Sequence, residues 1–360
     1  LIFSINATAQ TTQEQTIITA LPFLRITPDA RSSAMGDAGI VTTADANSLY
    51  FNASNLAFAE QDLGLSLTYT SWLRAMGISD IFLGYLSGYK KIKDNQAIGL
   101  GMRYFSVGRM QYSDDQANAL QTVSPYELAI DMAYARKLGK TFSIGLTLHY
   151  FLSNLGSGNT SSGITMKPAH AFGADISVTY RKELQLGKKK ALLSAGIALS
   201  NFGTKVSYTE NGVQDYMPAN LGFGSAFEFY ADSKNSITLT MDINKLLVPT
   251  PIAPYIEDAH GDMVVNPAYD ADNNYIPDYK QQSVPGSVFT SMGDAPGGAA
   301  EEFNELMFSW GLEYWYNKQF ALRWGYYYEH QNKGNRQFLI SIFLTSFQLP
   351  MHNAIHWIIH

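Results

Sequence analysis

Cysteine is absent from the 360 residues. That excludes a disulfide framework, a Cys-ligated zinc or iron–sulfur centre and a Cys nucleophile. Charge is sparse: Asp, Glu, Lys and Arg make up 16% of the chain, where an ordinary soluble domain carries about 25%. The 25 basic and 31 acidic residues leave a formal net charge of −6, so the basic footprint of a nucleic-acid binder is missing. No run approaches the roughly 18 consecutive apolar residues of a membrane-spanning helix. The 29 Gly and 13 Pro are too few and too aperiodic for a collagen-like or disordered polymer. Aromatics are what the chain has in quantity: 22 Tyr, 20 Phe and 5 Trp.

Residues 1–9 are expected to be the remainder of a secretory signal. Leu1-Ile2-Phe3 would end its apolar region, and Ala7-Thr8-Ala9 is an A-x-A cleavage site. From residue 63 onward, apolar residues recur with period 2. Phe142, Ile144, Leu146, Leu148 and Tyr150 share one face, and Ser143, Gly145, Thr147 and His149 the other. The same alternation sets Leu128, Ile130, Met132 and Tyr134 against Asp131, and Leu322, Trp324, Tyr326 and Tyr328 against Arg323. Side chains two apart on a strand share a sheet face, so these segments are strands and not helices.

Twelve strands are countable, near 63–73, 80–92, 97–107, 125–136, 141–151, 169–182, 191–202, 218–230, 236–246, 304–316, 320–331 and 337–349. Links after the even-numbered strands are short. The others are mostly longer and more variable, and 247–303 is very long. Short and long links alternating by parity is how an up-and-down barrel crosses an outer membrane. A soluble sandwich or lipocalin-like barrel also alternates faces. Strand length favours the membrane, because roughly 9–11 tilted residues cross a bilayer. Tyr69, Tyr104, Tyr134, Tyr150, Tyr180 and Tyr328 close apolar rows as an interfacial girdle would. The opposite faces carry Arg103, Asp131, Asp175, Glu228, Asp242, Glu313 and Arg323, which suits a wet or plugged lumen and not a dry core. The expected fold class is therefore all-β, a transmembrane outer-membrane β-barrel.

Residues 20–58 do not alternate. They contain Asp29-Ala30-Arg31, Met35-Gly36-Asp37-Ala38-Gly39 and Asp45-Ala46-Asn47, then Asn52 and Leu56-Ala57. Asn244-Lys245-Leu246-Leu247-Val248-Pro249-Thr250-Pro251, Asp294-Ala295-Pro296-Gly297-Gly298 and Gly311-Leu312-Glu313-Tyr314-Trp315-Tyr316-Asn317 follow further on, as does Gly334-Asn335-Arg336-Gln337-Phe338. In these ordered motifs, over roughly residues 17 to 338, the chain resembles the PorV family. That family comprises outer-membrane proteins of the Bacteroidetes type IX secretion system and is related to FadL-type transport barrels. The resemblance implies a FadL-like barrel of about 14 strands with an N-terminal hatch in the lumen. The expected organisation is an arm and hatch over 10–62, a barrel over 63–349 with external loop 247–303, and an atypical tail over 350–360. Hatch residues would be Arg31, Met35, Gly36, Asp37, Gly39 and Asn52, with glycines permitting tight turns and Arg31 or Asp37 pairing with luminal charge. Ala53 stands where a FadL-like chain often has Pro, so a looser turn is expected after Asn52.

The end departs from the family, which would continue through two further strands after Phe338. Here 337–349 is expected as a twelfth strand with Phe338, Ile340, Ile342 and Leu344 outward, and Pro350 then blocks pairing. A family-sized circumference would leave a two-strand gap between residues 349 and 63, or poor order over 345–360.

Catalytic and metal-binding patterns are weak. No G-x-S-x-G elbow or H-E-x-x-H occurs. Asp270, Asp272 and Asn274 open like a calcium loop, but Tyr275 replaces its glycine and Gln281 its bidentate glutamate. A solvated acidic loop explains them as well. His352, His356 and His360 recur every four residues and would share a helical face, in the atypical tail. No cofactor and no metal are expected. The resemblance implies a non-enzymatic secretion component that binds the C-terminal domains of secreted proteins and shuttles them from the translocon to the surface attachment complex. Its partners would be type IX translocon and attachment-complex proteins, client domains, and outer-membrane lipid and lipopolysaccharide. Alternatives are a FadL-like channel for hydrophobic small molecules and an outer-membrane enzyme acting on lipopolysaccharide. Tyr255, Tyr269, Tyr275, Tyr279 and Phe289, set among acids in loop 247–303, are the expected client contacts.

Overall fold

The computed structural model describes residues 16–113, 119–156, 158–159, 165–209, 212–258, 260, 262–345 and 355–357. Residues 1–15, where the signal was expected, lie outside them. Twelve long strands form one antiparallel sheet, each bonded to the next in sequence. They are β1 Leu63–Ser71, β2 Ile81–Lys93, β3 Gln96–Val107, β4 Tyr126–Lys137, β5 Phe142–Asn154 and β6 Ala169–Leu186, then β7 Lys189–Gly203, β8 Asn220–Tyr230, β9 Asn235–Leu246, β10 Met307–Tyr316, β11 Phe320–Tyr328 and β12 Gln337–Thr345. The short links are turns of two to four residues, such as 94–95 and 187–188. Gly187 takes a left-handed φ of 63° there, which glycine adopts without steric cost. The longest link, 247–306, carries a small hairpin (Tyr255–Glu257 with Met263–Val265) and three short helices, Asp278–Gln281, Val284–Thr290 and Ala299–Asn304.

The faces are sorted opposite to those of a soluble domain. On β5, Leu146 is 45% exposed on the outside while Thr147 is 1% exposed within. Leu100, Met102, Ile130, Met132, Phe172, Ile176, Leu239 and Trp324 join the exposed outer rows. Arg103, Asp131, Asp242, Glu313 and Arg323 are buried on the inner face. Only a lipid solvent makes that sorting favourable. Outward tyrosines and phenylalanines collect at the long-loop end: Tyr69 packs on Phe82, Phe82 on Tyr104, and Tyr104 on Tyr126, with Tyr150–Phe172 and Phe308–Tyr328 further round. An amphipathic ring belongs at that depth, where one end meets hydrocarbon and the other water.

The hydrophobic core lies between the inner wall and residues 20–59. Leu21, Phe23 and Leu24 pack with Ala129, Phe151, Ala171 and Met217. Leu49, Leu56 and Ala57 pack with Tyr89, Ala97 and Ala133. The wall is lined with small residues where the segment touches it: a Cβ on Gly99 would meet Leu49 and Leu56, and one on Gly224 would meet Ile40.

Strand β12 corrects the expected facing of its apolar residues. Phe338 pairs with Tyr327, the two rings stack at 5.0 Å, and Tyr327 is buried in the lumen. Ile340 lies opposite Gly325 and Ile342 opposite Arg323, so all three share the inner face, and Leu339 is exposed outside. The stretch Phe338-Leu339-Ile340-Ser341-Ile342-Phe343 is apolar on both parities, so its pattern leaves the choice of face to ladder register. At the sheet's other end, Ile355–Trp357 pairs in parallel with β1, Leu65 opposite Ile355. No pairing joins β12 to β1 among the described residues. Residues 346–354 and 358–360, including His352 and His360, lie outside them.

Candidate functional site

Residues 20–59 run through the lumen as irregular backbone, which needs partners for its polar groups because no bilayer water supplies them. The wall supplies many. Asp242 Oδ2 accepts from the N–H groups of Gly39 at 2.7 Å and Ile40 at 2.9 Å. Asn52 donates to Thr179 Oγ1 and to the Ile40 carbonyl, both at 2.9 Å. Ser143 donates to the Ser54 carbonyl at 2.8 Å, and Arg181 to Asn55 Oδ1 at 2.9 Å. Arg31 makes a forked pair with Glu313, at 3.0 Å from Nε and 2.8 Å from Nη2, while its Nη1 reaches Asp45 at 2.9 Å. Arg323 holds Glu313 from the other side at 2.6 Å. One carboxylate thus bridges two guanidiniums, an arrangement suited to burial because every charge has a hydrogen-bonded counterpart.

All six expected hatch residues are in this interface. Met35 is fully buried and faces Gly311. Gly36, at φ 67°, brings its backbone against that of Tyr326, where a Cβ would sit 2.5 Å from the carbonyl oxygen. Gly39 has no such conformational need: its missing Cβ makes room for the Phe51 ring. Arg31 pairs with luminal charge as expected; Asp37 makes no ion pair among the described residues. Burial pushes the Asp37 carboxyl up to about 6, against a hydrogen bond from Thr27. Asp29 is likewise pushed up to about 6 by burial and by nearby Asp45, although it caps the Ala30–Ser33 turn by accepting from Ser32. The turn after Asn52 is held despite Ala53, since Asn52 accepts from the Ser54 N–H and opens the 3₁₀ turn Ala53–Phe58.

Sequence reading did not single out the centre of the remaining luminal network. His149 lies 2.7 Å from Asp131 and 2.9 Å from Asp175. Arg103 lies 3.4 Å from Asp131 and over the Tyr50 ring at 5.0 Å. Arg103, Asp131, His149 and Asp175 come from β3 to β6, and the available signal was inner-face parity alone. Arg103, Tyr50, His149 and Asp175 line a cavity of about 120 Å³ together with Arg25, Asp37, Asn201, Asp242 and Arg336, and with apolar Leu24, Ile40 and Leu246.

The roots of the long loop form a second constellation. Thr250 donates to Asp294 from both N–H, at 3.0 Å, and Oγ1, at 3.2 Å. Lys245 bridges Glu302 and Glu305, and Lys333 bridges Glu301 and Glu305. Two motifs 44 residues apart therefore close the loop at its base, while its crown is exposed. Of the five expected contact residues, Tyr255, Tyr275 and Phe289 are exposed, Tyr275 at 92%. Tyr269 and Tyr279 are only partly so. Tyr275 sits at φ 66°, unusual for a bulky residue, where Asp270 accepts from the N–H groups of Asn274 and Tyr275. Asp270, Asp272 and Asp278 converge within 4.8 Å, but Asn274 donates to Asp272 and Gln281, so the polar groups bond to one another.

An apolar-out, polar-in wall with an aromatic belt and a filled lumen defines a transmembrane β-barrel of the outer membrane. A family profile described as "Type IX secretion system protein PorV" matches residues 9–253, and the chain belongs to that family. Among solved structures, it is similar to the Pseudomonas putida toluene transporter TodX, with 13% identity, 89% of this chain and 88% of that one covered, and a TM-score of 0.47. A Pseudomonas aeruginosa FadL homologue is similar at 10% identity, with 90% and 83% covered and a TM-score of 0.40. Likenesses this distant carry no functional detail. No curated protein matches.

Proposed function

We propose that this outer-membrane component of type IX secretion is a non-enzymatic carrier. It binds the C-terminal domains of secreted proteins through its long loop and shuttles them from the translocon to the surface attachment complex. On this reading the short turns face the periplasm, residues 20–59 are a static hatch, and loop 247–306 faces outward. The observation that carries the reading is the contrast between the lumen and the long loop. The lumen is filled, and the small residual cavity of about 120 Å³ has the buried charges of Arg103, His149 and Asp242 on its lining. The loop is anchored at its base and displays Tyr255, Tyr275 and Phe289 to solvent. A channel for hydrophobic molecules calls for an apolar route through the barrel. Aromatic anchors on a supported surface are the usual carriers of protein-interface energy.

The test is to replace residues 256–292 with a short Gly-Ser linker, leaving Thr250 and Asp294 to close the base. The barrel is expected to insert, secreted cargo to stop co-purifying, and uptake of hydrophobic compounds to stay unchanged. Retained cargo with lost uptake would favour the channel.

A further inference from the structure

The hairpin in the long loop is built to be incomplete. Tyr255 pairs with Val265, Ile256 with Val264 and Glu257 with Met263. Asp258 donates to the Asp262 carbonyl and Asn266 to that of Pro254. Antiparallel pairs alternate between bonded and non-bonded, so Ile256 and Val264 are the bonded pair between them. The N–H and C=O groups of Met263 and Val265 then point away from the hairpin. On the opposite edge the Ala253 carbonyl already accepts from the Asn266 side chain at 2.9 Å, and Pro251 has no N–H to offer. Apolar side chains stand exposed on both faces, Tyr255 and Val265 on one and Ile256 and Val264 on the other, with Val265 at 67%. An isolated two-stranded hairpin is marginal in water and gains stability from a third strand.

Charge selects the partner. Residues 247–303 hold nine acidic residues and a single lysine. That lysine, Lys280, pairs with Asp215. Asp258, Asp262, Asp270 and Asp272 make no ion pair among the described residues. Such a field repels anionic lipid headgroups and attracts basic polypeptide. We infer that the Met263–Val265 edge is a β-augmentation site for an extended, basic polypeptide segment with apolar side chains at alternate positions. Main-chain bonds would supply affinity, alternate side chains would settle against Val264 and Val265, and Lys or Arg would meet the acids. The inference rests on the carrier reading and adds the element that engages the client and the client's local chemistry.

The probe is a labelled eight-residue peptide alternating Val and Lys, titrated against the full chain in detergent micelles and followed by fluorescence anisotropy. The wild type is expected to bind it, and 0.5 M salt to weaken binding at least tenfold, as screening requires. A Val/Glu peptide is expected not to bind. Val265→Pro removes an outward N–H and leaves the Ile256–Val264 pair intact, and should cost at least tenfold. Val265→Thr keeps the N–H and should cost less than threefold. Equal affinity for wild type and Val265→Pro would overturn the inference. So would binding of the Val/Glu peptide, hairpin-dependent binding to anionic vesicles in place of the peptide, or hairpin-dependent self-association. Cargo that co-purifies with Val265→Pro but not with the linker variant would sink the β-edge and leave the carrier reading standing. Cargo retained by the linker variant would sink the carrier reading, and the inference with it.

Discussion

Residues 20–59 and residues 247–306 are the two long irregular segments of this chain, and they solve opposite problems. The first lies at membrane depth, where a polar backbone group without a partner costs several kcal/mol. The wall accordingly meets it with carboxylates, hydroxyls and amides at fixed positions, as Asp242 does for Gly39 and Ile40. The second lies beyond the aromatic belt. Water satisfies its backbone, so it needs fastening only at its base, through Thr250–Asp294 and Lys245 with Glu302 and Glu305. Its crown is free to display aromatics and acids. The same lack of regular structure is thus a locked plug in one place and a displayed surface in the other.

Removing the shared counter-charge of the plug should give the largest effect. Glu313→Ala leaves Arg31 and Arg323 buried without their common partner, at an expected cost of about 3–5 kcal/mol. Urea titration of the folded, heat-modifiable form would measure it, and a change below about 1 kcal/mol would contradict the lock. The outer wall comes next. Leu146→Arg places a cation in lipid and should cost about 2–4 kcal/mol if near the midplane, whereas Leu146→Phe should be nearly neutral in the same assay. Thr147→Arg is not a mild control for it, because Thr147 is sealed at 1% exposure and overpacking costs about 1–3 kcal/mol.

Protonation provides a smaller and more specific probe. Asp37 is raised to about 6 in the folded chain by burial, above the free carboxyl value of about 3.9. The docked segment therefore binds this proton more tightly than the undocked one. The cost of ionisation is fully present above about pH 6 and fades as pH falls toward 4. Asp37→Asn should strengthen docking by about 3 kcal/mol at pH 7.5 and by only about 1 kcal/mol at pH 4.5. Asparagine tolerates the left-handed φ of 65° at this position. Amide exchange over 29–52 at the two pH values would show it, and an equal gain at both would remove burial of charge as the cause. The smallest change belongs to the loop: Asp294→Ala should cost about 1 kcal/mol of local stability, read as faster amide exchange over 247–306 with no change in the wall. Slowed exchange there, or a weakened wall, would mean that the loop is not fastened independently.

Much of the wall was legible. Period 2, link parity and strand length give twelve strands and their faces through β11, because a bilayer imposes one rule on every strand. The rule stops working at β12, where both parities are apolar and Phe338 turns inward to stack on Tyr327. In the lumen, the hatch residues were legible through motif resemblance, and Gly36 also through the physics of a turn. Their partners were not. Nothing local to Arg31 says that it will fork onto Glu313, 282 residues away.

The sequence by itself determined which solvent each face meets, since the sorting of apolar and polar side chains follows directly from side-chain periodicity. It also determined that residues 20–58 would not be wall, and that the long loop would be acidic and aromatic. Tertiary structure alone decided the register of β12, the meeting of Asp131, His149 and Asp175 on neighbouring strands, and the closing of the loop by Thr250 and Asp294. It decided too that the Met263–Val265 edge is left open. The first two depend on how one strand slides against another, since a shift of a single residue exchanges every side chain between faces, and the last two on where distant parts of the long loop meet in space.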